Sequence, residues 1–316
     1  MAVLSIATRS LTPMTTAQPM TKMAAAMADN LKTDAPRADE PDAAGQGRPA
    51  GQQLGAVDDM CSVPLEAIAV DAAGNAEPLV WQLPEEVAVA VQINTEPYTV
   101  MMATPANLTD FGIGFVLAEG IVERRSDILG VLVMPVENGF AVDIAIDEEA
   151  LAEARMPRRS IEGRSGCGLC GVENIADVVR VTKPVPHTVR PSAAAILKAA
   201  RELPRQQTMN RFNRTVHGAA WVTLDGEIML VREDVGRHNA LDKLIGAMAD
   251  ANIELTSGFV LMTSRCSFEL VQKSATYGIG ALVTVSAPTA LALEIARKAN
   301  LFVASPAGER VVILNS

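Results

Sequence analysis

The 316 residues are 49% apolar but only 3% aromatic, enough for one large domain or two ordinary ones with a core of Ala, Val, Leu, Ile and Met. A formal charge of −10 argues against broad binding to nucleic acid or an anionic membrane, and no apolar run approaches the roughly 20 residues that cross a bilayer, so a soluble protein is expected. Four cysteines in so long a chain do not make a secreted disulfide framework, which favours a reducing cytoplasm.

Residues 1–60 lack sustained periodicity and are rich in Ala, Met, Thr, Asp, Pro and Gln, a composition that predicts a disordered tail. Asp29, Asp34, Asp39 and Glu40 count against an acid-poor transit peptide. Ordered chain is read from Pro78, opening a smaller α+β subdomain over 78–163. Val87–Val91 and Tyr98–Met102 read as strands joined by a turn at Asn94-Thr-Glu-Pro97. A helix follows from Asn107 to Glu119, apolar at Leu108, Phe111 and Phe115 and ended by Gly120. Gly112 and Gly114 lie inside that helix, so they indicate close helix packing and not a dinucleotide fingerprint. Ile128–Pro135 and Phe140–Ile146 form a hairpin around Asn138-Gly139, and a polar helical stretch, 148–160, leads into a glycine loop at 164–171.

The second half, 190–316, has a cleaner rhythm. Ala219–Leu224 and Glu227–Arg232 flank Asp225-Gly226 as a second hairpin. Leu241, Leu244, Ile245 and Met248 recur at helical spacing, with one buried stripe. Then come a strand at Gly258–Thr263, a helix at Ser267–Tyr277, a strand at Ala281–Val285, a helix at Pro288–Ala299 and a strand at Leu301–Ala304. Strands alternating with helices of about a dozen residues predict βαβ crossovers, hence an α/β layered core on a mixed, largely parallel sheet.

The chemistry concentrates in Arg164-Ser-Gly-Cys167-Gly-Leu-Cys170-Gly171. Two cysteines two residues apart among three glycines are suited to sulfur chemistry more than to packing, and glycine amides can form an anion nest around a thiolate. Structural zinc needs two more ligands, yet Cys61 and Cys266 are isolated and His187, His217 and His238 are widely spaced. A thioredoxin-like dithiol would open a helix after a strand, whereas this pair sits between the two halves. Nucleophilic sulfur transfer remains: one cysteine carries sulfur as a persulfide, the other resolves it, and Arg164 favours the thiolate.

Two loops in the second half read as anion sites. One is Thr263-Ser264-Arg265-Cys266-Ser267, where a strand meets a helix N-terminus; the other is Ser286-Ala287-Pro288-Thr289, with Ser286 as cap and Pro288 in the first turn. Each is also compatible with an ordinary capped helix start. A third segment, Arg232–Asn239 with Asp242 and Lys243, is densely ionisable. A solvated helix start accounts for part of it, while Arg237 and His238 can hold phosphate or relay a proton. His217 reads equally as a core histidine, His187 as a loop residue and Cys266 as a packing residue.

Five motifs then stand in order: Thr95-Glu-Pro-Tyr-Thr-Val-Met-Met-Ala-Thr-Pro105, Ser165-Gly-Cys-Gly-Leu-Cys-Gly171, Glu233-Asp-Val-Gly-Arg-His-Asn-Ala-Leu-Asp-Lys243, Ser264-Arg265 with Ser267-Phe-Glu-Leu-Val-Gln-Lys273, and Val285-Ser-Ala-Pro-Thr-Ala-Leu291. Together, from about residue 80 onward, the chain resembles the formate dehydrogenase accessory sulfurtransferases, the FdhD family. The resemblance implies a cytoplasmic homodimer with a cytidine-deaminase-like core. It implies that sulfur comes from a cysteine desulfurase and goes to the bis(molybdopterin guanine dinucleotide) cofactor of molybdenum, which is then inserted into the formate dehydrogenase catalytic subunit. Cys167 matches the persulfide position and Cys170 its partner. Arg237, His238, Ser264, Arg265, Ser286, Ala287 and Thr289 fall in the motifs expected to hold the cofactor, with a GDP-like guanine nucleotide as a mimic. So does the stretch Ser305, Pro306, Ala307, Gly308, Glu309 and Arg310, which lacks the glycine-phenylalanine followed by basic residues often found there. The deaminase zinc signature is absent, so no metal ligand is expected. Two other activities compatible with these motifs are a cofactor-holding chaperone without chemistry and a CxxC thiol-disulfide oxidoreductase.

Overall fold

Turn chemistry sets the first sheet. Asn94 and Thr95 both take positive φ, 48° and 68°, as a two-residue hairpin loop requires, and they join β3 (Val87–Ile93) to β4 (Glu96–Ala103). Asn138, at φ 65°, does the same between β5 (Ile128–Val136) and β6 (Gly139–Ile146). The Asn94 side chain then bonds both backbone groups of Ile146, accepting at 2.7 Å and donating at 3.0 Å. This fastens the hairpins together along the parallel β3–β6 seam, giving the order β4-β3-β6-β5. A computed structural model describes residues 61–153 and 183–315; the expectations for the tail, for the end of the polar helical stretch and for Cys167 and Cys170 lie outside the described residues.

The chain departs from the sequence reading ahead of Pro78. β1 (Ser62–Val70) pairs with β2 (Ala76–Pro84) in a separate two-stranded antiparallel ribbon. Pro64 and several alanines weaken the strand signal there, and proline is tolerated because β1 pairs on one side only among the described residues. α1 (Leu108–Ala118) and a short α2 (Glu148–Glu153) accompany the first sheet. α3 (Ala193–Gln206) and α4 (Thr208–Asn213) precede the second, and no periodicity argument had marked them. The stripe that α3 buries is Ala195, Ile196, Ala199 and Leu203, half of it alanine, and Pro204 sits inside the helix just beyond it.

The second sheet holds β7 (His217–Thr223), β8 (Ile228–Asp234), β9 (Gly258–Cys266), β10 (Ala281–Pro288), β11 (Phe302–Ala307) and β12 (Arg310–Ile313), in the order β12-β11-β10-β9-β7-β8. Helices α5 (Arg237–Asp250), α6 (Phe268–Tyr277) and α7 (Ala290–Lys298) alternate with its strands. Only β9–β10 and β10–β11 are parallel, so the sheet is mixed but not largely parallel. The crossover helices α6 and α7 make those two pairings parallel; the outer strands are hairpin arms, which pair antiparallel by construction.

Strand alternation divides the core. Trp221, Val260, Met262, Leu282 and Val303 join the large cluster with α1, α5, α6 and α7, while Val222, Phe259, Leu261, Val283 and Ala304 pack with α3 on the other face. The large cluster also takes in Val89, Val91, Val142 and Ile144 of the first sheet, so one core spans both sheets. Two glycines let α1 and α5 touch. A Cβ at Gly114 would fall 1.7 Å from the Asp242 carbonyl, and one at Gly246 would fall 1.9 Å from the Asp110 carbonyl. Helix packing is therefore what Gly114 serves. No helix among the described residues is long and apolar enough to cross a membrane.

Candidate functional site

Because β7 runs antiparallel to β9, its first residue lies at the same sheet edge as the ends of β8, β9, β10 and β11. That edge gathers His217, Asp234, Ser264-Arg265, Ser286-Ala287 and Ser305–Ala307, and α5 leaves it with Arg237 and His238. Carboxyl ends of parallel strands are where open α/β sheets bind ligands. The segments read as loops are in fact strand ends: Ser286 pairs with Arg265 and Pro288 with Cys266, across register shifts that splay β10 from β9. Thr289, not Ser286, caps α7, accepting from Ala292 N at 3.2 Å, and Pro288 closes the strand instead of entering the helix. Serine and proline carry no strand signal, so the extension was invisible in sequence.

The expected binding residues divide by exposure. Arg265, Ser286, Ala287, Thr289, Ala307, Gly308, Glu309 and Arg310 face solvent and Pro306 is half-buried. Ser264 and Ser305 are buried: Ser264 Oγ donates to the Arg265 carbonyl at 3.1 Å, and Ser305 Oγ lies 3.5 Å from Thr284 Oγ1. These two hydroxyls stiffen the edge from within. Gly308, at φ 60°, turns β11 into β12, and Glu309 pairs with Arg201 of α3 at 2.5 Å.

Beneath the edge the ionisable segment is buried, not solvated. Asp234 and Lys243 form a pair at 2.6 Å with both side chains fully inaccessible. Asp234 also accepts from Thr104 N, Gly236 N and Asn239 Nδ2, while Lys243 donates to the Thr104 carbonyl at 2.9 Å and Asn239 to the Met102 carbonyl at 2.8 Å. This network welds the end of β4 to the start of α5. Glu233 accepts from Met209 N at 2.8 Å and Asn210 N at 3.0 Å, so it caps α4; burial raises its carboxyl, partly offset by those bonds. Lys273 bridges Asp242 and Glu119 at 2.9 and 3.0 Å and lies over the Phe115 ring. Burial pushes the Asp242 carboxyl up to about 6 despite the pull of Lys273. Thr104, Asp234, Asn239 and Lys243 all fall within two of the quoted motifs, but sequence alone gave no sign that they bond one another as one buried framework.

Above it, His238 is buried, with Nε2 3.5 Å from Ser267 Oγ and 3.8 Å from Glu269 Oε2, the latter an ion-pair contact and not a hydrogen bond. Burial works against ionising Glu269, yet His238 and the Ser267 hydroxyl outweigh it and hold the carboxyl at about 2. Arg237 is half-buried, and its Nε meets no hydrogen-bond partner among the described residues. Burial first, then the neighbouring Arg237 and His238, keep the His217 imidazole below its ordinary 6.5, with Asp234 pulling the other way. Cys266 is a packing residue: burial drives its thiol to about 12.

Glu269 carries a pH test. Its folded carboxyl lies below the ordinary 4.5, so its contribution is full above pH 4.5 and is lost as pH falls towards 2. Glu269→Gln therefore flattens the acid limb of stability over that window, measured by denaturant titration at stepped pH. An unchanged slope would show that the carboxylate is not held by His238.

An α/β layer with a cationic, hydroxyl-bearing strand edge is the class of protein that the fold and the site define. The family model described as FdhD/NarQ matches residues 84–313, and the chain belongs to that family. Among its relatives, the sulfur carrier protein FdhD of Cupriavidus necator is 46% identical over 233 residues, 73% of this chain and 81% of the relative. That of Bordetella petrii is 45% identical over 217 residues, covering 69% and 78%, and that of Xanthomonas campestris 44% over 216 residues, covering 68% and 77%. The fold is shared with the crystal structure of a candidate formate dehydrogenase accessory protein from Desulfotalea psychrophila, at a TM-score of 0.64 and 21% identity over 81% of this chain and 97% of that one.

Proposed function

We propose that this protein is a cytoplasmic sulfurtransferase. It takes persulfide sulfur from a cysteine desulfurase and delivers it to the bis(molybdopterin guanine dinucleotide) cofactor of formate dehydrogenase. Family membership and relatives named as sulfur carriers support the carrier role. On loading, the Cys167 thiolate attacks the outer sulfur of the donor persulfide; the donor S–S bond breaks, its thiolate leaves, and a new S–S bond forms on Cys167. For delivery, the Cys170 thiolate attacks Cys167, the two thiols become a disulfide, and the sulfane sulfur is reduced to sulfide and handed to the cofactor.

The observation that carries the acceptor is the exposed strand edge, where Arg265 and Ser286 stand side by side with Arg310 beyond the β11 turn. An arginine presents a fork of donors to a phosphate, and the guanine nucleotide ends of the cofactor supply phosphates. By the same resemblance the six-stranded layer is the cytidine-deaminase-like core. Calorimetric titration with GDP tests the edge: Arg265→Ala weakens binding by about ten- to a hundredfold, the loss of one charge-assisted contact. Equal affinity in the variant, or no binding of GDP by the wild type, would remove the nucleotide from this edge.

A further inference from the structure

His217 opens β7 half-buried at the sheet edge, and its imidazole makes no hydrogen bond among the described residues. A core histidine would carry one, because a buried ring nitrogen without a partner is costly. Strand alternation sets its direction. Ala219 and Trp221, of the same parity along β7, pack into the cluster shared with α5 and α6, so His217 lies on that face. Three helices leave the edge there: α5 from Arg237 behind β8, α6 from Phe268 behind β9 and α7 from Ala290 behind β10. Their N-termini lend the edge a positive potential, and the α5 and α6 caps, Gly236 and Ser267, make no side-chain capping bond.

The charged groups acting on the imidazole are Arg237 and His238 of α5 and Asp234 of β8, its partner in the strand register. From β9 come the Thr263 hydroxyl, which accepts from Gly218 N at 2.8 Å, and the exposed Arg265 beyond it. The one carboxylate at the start of α6, Glu269, is engaged by His238. Asp234 is committed to Lys243 and to the Thr104, Gly236 and Asn239 donors. Burial first, then its cationic neighbours, therefore leave the ring neutral near pH 7, with Asp234 pulling the other way.

We infer that His217 is a phosphate ligand of this edge that takes a proton from solvent as the anion binds, so that binding and proton uptake are coupled. A phosphate dianion among Arg237, His238 and Arg265 reverses the field at the ring. It offsets the cations that opposed a further charge, and its oxygens accept a hydrogen bond that only a protonated or N–H-bearing nitrogen can donate. The inference rests on the phosphate reading of the edge and adds to it a residue and a proton. The sign follows. The imidazole holds its proton more tightly with the anion bound, so affinity is highest at pH below the free value and declines as pH rises through the bound one.

The chain has 3 histidines, His187, His217 and His238, so their ring C–H signals can be separated by NMR and assigned by substitution. In full-length wild type, His217 titrates below 6.5, and saturating GDP raises its midpoint by at least about one pH unit, equivalent to a tenfold coupling. Calorimetry near neutral pH then shows proton uptake, read as a binding enthalpy that varies with the ionisation heat of the buffer. His217→Gln binds GDP several-fold more weakly and without that uptake. A His217 midpoint that GDP leaves in place, or uptake that persists in His217→Gln, would overturn the coupling while leaving nucleotide binding intact. A wild type that binds no GDP would overturn the coupling together with the phosphate reading beneath it. The wild-type titration decides the matter even if the variant fails to fold.

Discussion

Replacing Cys167 by alanine should reduce formate dehydrogenase activity in a host lacking its own carrier by on the order of a thousandfold or more. This is the scale on which removing a covalent nucleophile acts. The chain itself should still fold and still bind GDP, because the bonds given for the framework around Asp234 and the edge at Arg265 are made by other residues. The pairing of outcomes separates the rival activities. A chaperone that only holds the cofactor would keep full activity without Cys167. A generic dithiol oxidoreductase would reduce an unrelated disulfide and would lose that reaction equally with Cys167→Ala and Cys170→Ala.

The second large effect is on stability. Asp234→Asn strips the countercharge from a lysine with no access to water and should cost about 3–5 kcal/mol, read as a lower denaturant midpoint. The asparagine keeps one acceptor oxygen, so its NH2 group would face either the Thr104 or the Gly236 amide, itself a donor. Adding Lys243→Met to that variant removes the stranded charge and should recover a good part of the loss. If Asp234→Asn alone costs less than about 1 kcal/mol, the pair is better solvated than its burial implies.

The same network explains what could be read from the sequence. The hairpins were legible because Asn94-Thr95, Asn138-Gly139 and Asp225-Gly226 carry their own backbone preferences, and α5 because Leu241, Leu244, Ile245 and Met248 repeat at helical spacing. Local chemistry was enough for both. It could not show that Thr104 and Asp234, 130 residues apart, share a hydrogen bond, nor that Asp242 and Lys243 are dry instead of solvated. Helix-linked strands announced the parallel centre of the second sheet, but not that a hairpin would insert β7 beside β9 and turn that side antiparallel. Strands β9, β10 and β11 each outrun their apolar residues into Ser, Arg or Pro. The site was therefore assigned to loops when the stiffer strand ends present it. Arg237, His238, Arg265 and Ser286, which the sequence reading placed in separate segments, lie at one end of the sheet.

Stiffness at that edge matters for the proposed reaction. Ser264 and Ser305 spend their hydroxyls inside the sheet, so Arg265 and Ser286 are offered from a fixed backbone, and a preorganised donor loses less entropy on binding. His238 is likewise pinned between Ser267 and Glu269.

The most direct measurement is intact and peptide mass spectrometry of the full-length protein after incubation with a cysteine desulfurase and cysteine. The account predicts the mass of one added sulfur on the peptide containing Cys167, removed by a thiol reductant and absent from Cys167→Ala. A peptide that gains nothing under conditions where the desulfurase itself is persulfidated would contradict it.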